Sequence, residues 1–307
     1  MRKKLVISTL VLFVLICLIT LAFSVKKETA TVLGEKVAVI YVDGVITNSS
    51  SKGIWGDVGG SENIINQLHK ASEDSSIKAI ILRINSPGGS TGATQEVGEE
   101  IKKIRAKGKL IYTSMGDVAA SGGYWLAACT DKIYANSSTI TGSIGVYMPY
   151  SNWEELYRKI GIKQEKIKSG EFKDIMSSDR PMTDKEREII QGIVNDTYDG
   201  FVQTVAEGRK MDINKVKTLA DGRIYTGNQA KALGLVDDLG NMYDAIDAVA
   251  KAANIKGKPI IKEFGNENPF AKLTGSNSKA ELINALLLLL KNEDTANMGL
   301  IAPQQKW

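Results

Sequence analysis

A chain of 307 residues, 43% of them hydrophobic, carries enough apolar material for a large core in one or two domains. Its formal net charge of +4 comes from dispersed basic residues, which argues against nucleic acid as a partner. Two cysteines and a single histidine provide neither a disulfide framework nor a cluster of metal ligands.

The first segment along the chain is directed at a membrane. Arg2-Lys3-Lys4 precede an uncharged stretch over residues 5–25, which Lys26-Lys27 close. That length suits a spanning helix of about 20 residues and exceeds the usual apolar core of a cleaved signal. Ala22-Phe23-Ser24 has the small-x-small pattern that a signal peptidase accepts, but the length of the segment favours an uncleaved anchor. Residues 1–27 are therefore expected to form a cytoplasmic basic tip and a single-pass transmembrane anchor, with the body of the protein on the extracytoplasmic side. Cys17 falls inside that anchor and follows the bulky Ile16, which speaks against lipidation. It is remote from Cys129, so the two do not pair.

A polar linker over residues 28–35 leads into a run with strand character at 36–42, ended by Asp43-Gly44. A helix is expected from Ser61 to His69, with Ile64, Ile65 and Leu68 on one face. A second strand follows at 79–84, and then a helix carrying Val97, Ile101 and Ile104 at helical spacing. The alternation continues through a strand at 110–112, a small-residue helix after Ser121, a strand at 133–135 and a helix near Trp153-Leu156-Tyr157-Ile160. Residues 184–208 read as a long amphipathic helix with Ile189, Ile190, Ile193, Val194, Phe201, Val202 and Val205 along one side. A short helix near Ala230 ends at Gly234 and turns into Leu235-Val236-Asp237. The strands are continuous apolar runs, so the fold class is α/β with a sheet covered on both faces and functional loops at the strand C-termini. The body spans residues 36–264. A tail over 265–307 differs in composition and contains an apolar stretch at 282–290, too short to cross a bilayer and expected to dock or pack between subunits.

Two glycine-rich turns stand out. Pro87-Gly88-Gly89 follows one buried strand and Ser121-Gly122-Gly123 the next, so in a parallel sheet both open at the same edge. Each alone is an ordinary turn, and Ser121 alone an ordinary N-cap. Together they offer a hydroxyl at a helix N-terminus and backbone N–H groups able to hold an oxyanion, as acyl transfer requires. A serine nucleophile also needs a base. His69 sits on a surface-type helix with no acidic partner placed to orient it, so a histidine triad is not expected. A lysine that is neutral when it accepts the proton is the other option. The charged segment 163–174 holds Lys166, Lys168 and Lys173, among which spacing does not choose; it also reads as a plain solvated hairpin.

Taken together, Asn85-Ser86-Pro87-Gly88-Gly89, Ala120-Ser121-Gly122-Gly123-Tyr124, Thr141-Gly142-Ser143-Ile144-Gly145, Ser169-Gly170-Glu171-Phe172-Lys173-Asp174 and Gly234-Leu235-Val236-Asp237 resemble the signal peptide peptidase A family of membrane-bound serine proteases, in its short bacterial form. The resemblance covers residues 37–239. It implies Ser121 as nucleophile, Lys173 as general base, Ser143 as the hydroxyl that positions the lysine, and Gly88 and Gly122 as oxyanion-hole donors. It further implies a Clp-protease/crotonase-like fold with stacked β-sheets and flanking helices, a ring-shaped homo-oligomer, remnant signal peptides in the bilayer as substrates, and no cofactor or metal. Two alternatives remain at this point: a crotonase-like acyl-CoA enzyme, and a catalytically inactive membrane scaffold.

Overall fold

The computed structural model describes residues 34–48, 51–53, 56–58 and 60–265. The anchor expected over residues 5–25 and the apolar stretch at 282–290 lie outside the described residues. Among the described residues no helix is long and apolar enough to cross a membrane.

The body is organised on an eight-stranded sheet whose main path runs β10 (Ile260–Phe264), β1 (Lys36–Asp43), β4 (Ile77–Ser86), β5 (Leu110–Ala120), β6 (Lys132–Ala135) and β9 (Asp238–Leu239), every neighbouring pair parallel. A separate two-stranded hairpin joins β2 (Ser51–Gly53) to β3 (Gly56–Val58). The strands are apolar on both faces because both faces are covered. Alternate residues divide between two cores. Ala38, Ile40 and Val42 of β1 and Ile80, Leu82 and Ile84 of β4 face α1 (Ser61–Glu73), α2 (Thr91–Ala106) and α3 (Gly122–Ala128). Val37, Val39, Ala79 and Ile81 face the opposite way, onto Ala245, Ile246 and Val249 of α8 (Met242–Ala252). Each fully buried Ile or Leu in these layers contributes about 1.5–3 kcal/mol.

The sheet forks at β5. Its first part pairs β6 from Tyr112 to Ser114, while its last part pairs β7 (Ile140–Gly142), which in turn pairs β8 (Ile224–Thr226) antiparallel. This mixed α/β sheet with flanking helices fits a Clp-protease-like fold. The fork matters for function because it brings the Thr141-Gly142-Ser143 run alongside the end of the strand that leads into Ser121.

The remaining helices are α4 (Glu154–Lys159), α5 (Asp184–Arg209), α6 (Ile213–Leu219) and α7 (Gly227–Ala232). Helix α5 opens with a capping box between Thr183 and Glu186 and closes at Lys210 in the left-handed region. Its C-terminal half buries Phe201, Val202 and Val205, and the Phe201 ring stacks on Trp125 of α3 with centroids 4.7 Å apart. At Gly208 an added Cβ would lie 1.8 Å from the Ala128 carbonyl oxygen, so α5 and the end of α3 meet backbone to backbone. The apolar stripe of α5 continues into its first half, but Ile189 and Ile193 are exposed there. The Gly234-Leu235-Val236-Asp237 run is structural: Gly234 is left-handed, and the Asp237 carboxylate takes two hydrogen bonds from the nearly buried Arg209 and one from the Ile133 N–H. Cys129 is buried, and burial pushes its thiol up to about 12, as suits an inert small hydrophobe.

Candidate active site

Ser121 stands alone between the last residue of β5 and the first of α3, at φ 51° and ψ −121°. For a residue with a Cβ this conformation costs about 1–3 kcal/mol, and such strain collects at functional sites. The backbone holds it in place: the Ser121 N–H donates to the Gly142 carbonyl at 2.9 Å, and the Ser121 carbonyl accepts from the Trp125 N–H at 2.9 Å. Its hydroxyl makes no capping bond to α3, so the ordinary N-cap role is not filled.

The serine opens into a cleft of ≈ 600 Å³. Gly88, Gly89, Ser143, Tyr147, Asp221 and Gly222 are among its lining residues. Ser121, Ser143 and Gly88 therefore meet at one cleft, and Gly122 follows Ser121 at the start of α3. Gly88 is in the left-handed half of backbone space at φ +103°, where a Cβ would lie 2.7 Å from the Gly122 nitrogen and 2.8 Å from the Ser121 Cβ. Its N–H donates to the fully buried Ser86 hydroxyl at 3.1 Å. Ser143 has φ 52°, and its N–H donates to the Arg223 carbonyl at 2.8 Å. Asp221 is a cleft residue that sequence reasoning passed over. Arg223, two residues on, holds its carboxylate ionised by side-chain and backbone hydrogen bonds, down at about 2. The Asp221 carboxylate at the cleft is thus ionised at any ordinary pH and paired with the Arg223 guanidinium.

The charged segment does not form a hairpin; from Ser169 to Met176 it is a series of turns without strand pairing. Its lysines are unequal. Lys166 donates to Asp179 and Ser177, and Lys168 donates to Asp174 at 2.5 Å and to the Glu171 carbonyl at 3.0 Å. Lys173 is exposed, and among the described residues its ammonium makes no hydrogen bond or ion pair. An ammonium bound to a carboxylate must break that pair before it can serve as a base, a cost Lys173 does not carry. Lys173 is not one of the residues lining the Ser121 cleft.

The neighbour of Lys173 is firmly anchored. Asp174 accepts from Arg180 at 2.9 and 3.0 Å, and the same guanidinium reaches Glu186 at 2.5 and 2.8 Å, across the start of α5. The Arg180 guanidinium, then Lys168, holds the Asp174 carboxyl well below the usual range. Arg180, then the Thr183 N–H, holds the buried Glu186 down at about 2 from an ordinary 4.5. A carboxyl lowered in the folded state contributes stability that is complete above its unfolded pKa and is lost as pH falls through the folded value. The clamp should therefore be intact at and above pH ~4.5 and release toward pH ~2. Glu186→Gln is expected to lower Tm at pH 7 and to flatten the fall of Tm between those two pH values; a melting series in the two proteins checks this. An unchanged slope would show that the clamp carries no folding energy.

His69 requires a correction. Its Nε2 lies 2.7 Å from the Glu100 carboxylate of α2, so an acidic partner is present. The pair belongs to a different concavity, at the far ends of α1 and α2, and does not line the Ser121 cleft.

With this geometry in hand, similarity to known proteins completes the assignment. The profile of peptidase family S49 matches residues 103–256, a span that includes Ser121, Ser143 and Lys173. The chain is 39% identical over 248 residues to an Enterococcus faecium protein named after signal peptide peptidase SppA, covering 80% of this chain and 72% of the relative. It is 35% identical over 237 residues to the chloroplastic serine protease SPPA of Arabidopsis thaliana and 34% over 232 residues to protease 4 of Haemophilus influenzae, of which it spans 35% and 37%. The sheet, its flanking helices and these relatives define a serine protease on a Clp-protease-like fold. Within that class, the chain belongs to peptidase family S49. The acyl-CoA alternative falls with that assignment.

Proposed function

We propose that this protein is a membrane-anchored Ser–Lys endopeptidase that degrades remnant signal peptides. The observation that carries the proposal is Ser121, strained and uncapped at the mouth of an open cleft between two glycine turns. Ser121 Oγ attacks the peptide carbonyl while Lys173 takes its proton. The positive end of α3 and the Gly122 and Gly88 N–H groups hold the oxyanion, with the Gly88 N–H shared with or released from Ser86. Lys173 then protonates the leaving amine, and water hydrolyses the acyl-enzyme. Ser143 positions the lysine at the cleft. The anchor over residues 5–25 would hold this chemistry on the extracytoplasmic face, beside the bilayer in which such peptides lie.

Lys173 belongs to an exposed turn outside the cleft lining, which supports a dyad formed between neighbours in a ring. Co-expression tests it. Ser121→Ala and Lys173→Ala preparations should each be inactive, whereas mixed rings should recover activity at about a quarter of interfaces, because each side of a head-to-tail contact is correct half the time. Confirmed co-assembly without recovery would mean that the dyad forms within one chain.

A further inference from the structure

Beside the Ser121 cleft lies a second concavity of ≈ 350 Å³, and the two share Val146 and Tyr147 as a common wall. Met176 and Met182 form part of its lining, and Ile190 and Val194 on the first half of α5 form another part. Methionine thioethers adapt to apolar side chains of differing shape, so such a groove suits a hydrophobic chain of no fixed sequence. Arg187 is the one charged residue in this lining. Among the described residues its guanidinium has no hydrogen bond or ion pair. The other six described arginines do: Arg83 on Ser114, Arg105 on Asp131, Arg158 on Glu155, Arg180 on Asp174, Arg209 on Asp237 and Arg223 on Asp221. Six engaged arginines and one that is exposed and unengaged, at the wall of a groove where Met176, Met182, Ile190 and Val194 stand beside Tyr150 and Gln191, indicate a site for an anion carried on a largely apolar chain.

We propose that this groove takes the C-terminal segment of an apolar peptide whose free α-carboxylate pairs with Arg187, while the chain passes over Tyr147 into the Ser121 cleft. A peptide released by an earlier hydrolysis ends in such a carboxylate; a continuous polypeptide offers none at that position. The guanidinium fork matches a carboxylate bidentately, which a lysine at the same place does not. The site therefore selects peptides already cut from a larger protein, and Arg187 is a specificity residue that acts by charge complementarity. This rests on the peptidase reading of the cleft.

The test measures binding, so it stands apart from turnover. Full-length Ser121→Ala protein in detergent is titrated into a fluorescently labelled apolar peptide, prepared once with a free C-terminal carboxylate and once as the amide. The acid should bind about fivefold more tightly at low salt, and less so as salt is raised. Adding Arg187→Gln should erase the acid–amide difference, and Arg187→Lys should keep part of it. Equal binding of acid and amide by the parent protein, or a preference that survives Arg187→Gln, overturns the proposal. So does a preference of zero accompanied by altered sedimentation of Arg187→Gln, which would make the groove a contact between copies. Hydrolysis of the amide peptide by the unmutated enzyme, followed separately, reports on the peptidase reading itself.

Discussion

Ser121→Ala is expected to lower kcat by at least about 10³-fold while leaving the fold intact, because the alanine keeps the backbone bonds to Gly142 and Trp125 and removes only an uncapped hydroxyl. Lys173→Ala should lower kcat to a similar extent, and the double variant should be little worse than either single one, since groups that act as a unit do not add. Lys166→Ala and Lys168→Ala should lose ion pairs but retain turnover within about tenfold, their ammonium groups being committed to Asp179 and Asp174. Steady-state kinetics on an apolar fluorogenic peptide distinguishes these cases. Near-normal turnover in Lys173→Ala would move the base to another lysine. Stability supplies a second readout. Ser121→Gly removes the Cβ from a conformation that glycine adopts freely, so it should be at least as stable as the parent although inactive.

Gly88→Ala should damage catalysis strongly although it adds only a methyl group. Its Cβ would meet the Gly122 nitrogen at 2.7 Å and the Ser121 Cβ at 2.8 Å, and both obstacles are held by backbone. The left-handed φ of +103° adds strain wherever the methyl goes. Relief requires the two glycine turns to part, which separates the nucleophile from the oxyanion donors. A loss of about 10²–10³-fold in kcat follows, the range seen when one oxyanion donor is removed, together with about 1–3 kcal/mol of stability. Thermal melting and kinetics on the same preparation separate the two effects. A Gly88→Ala protein with near-parental kcat would show that this turn takes no part in the chemistry.

The strands at 36–42 and 79–84 were legible because continuous apolar runs mark a sheet covered on both sides, and the paired glycine turns were legible because parallel strands end at one edge. The length of β5 was not. Gly116 and Asp117 look like strand breakers, and Thr113 and Ser114 look too polar for a core. In the structure the Thr113 hydroxyl bonds Thr130 and the Ser114 hydroxyl accepts from Arg83, so buried polarity is satisfied by residues distant in sequence. β10 was missed for a related reason. It is an edge strand with exposed Lys262 and Glu263, and only its pairing with β1 makes it a strand. The same limit applies to the charged groups. Asp179 lies 13 residues from Lys166 and Glu100 lies 31 from His69, and no local spacing announces either pair. What separates Lys173 from Lys166 and Lys168 is likewise a property of the folded segment.

Reaction of the full-length enzyme with a fluorophosphonate, followed by peptide mapping, tests the central claim most directly. An activated hydroxyl attacks phosphorus and an ordinary serine does not, so the adduct should map to Ser121 alone and should disappear in Ser121→Ala. An adduct on Ser86 or Ser143, or labelling that persists in Ser121→Ala, would contradict the account.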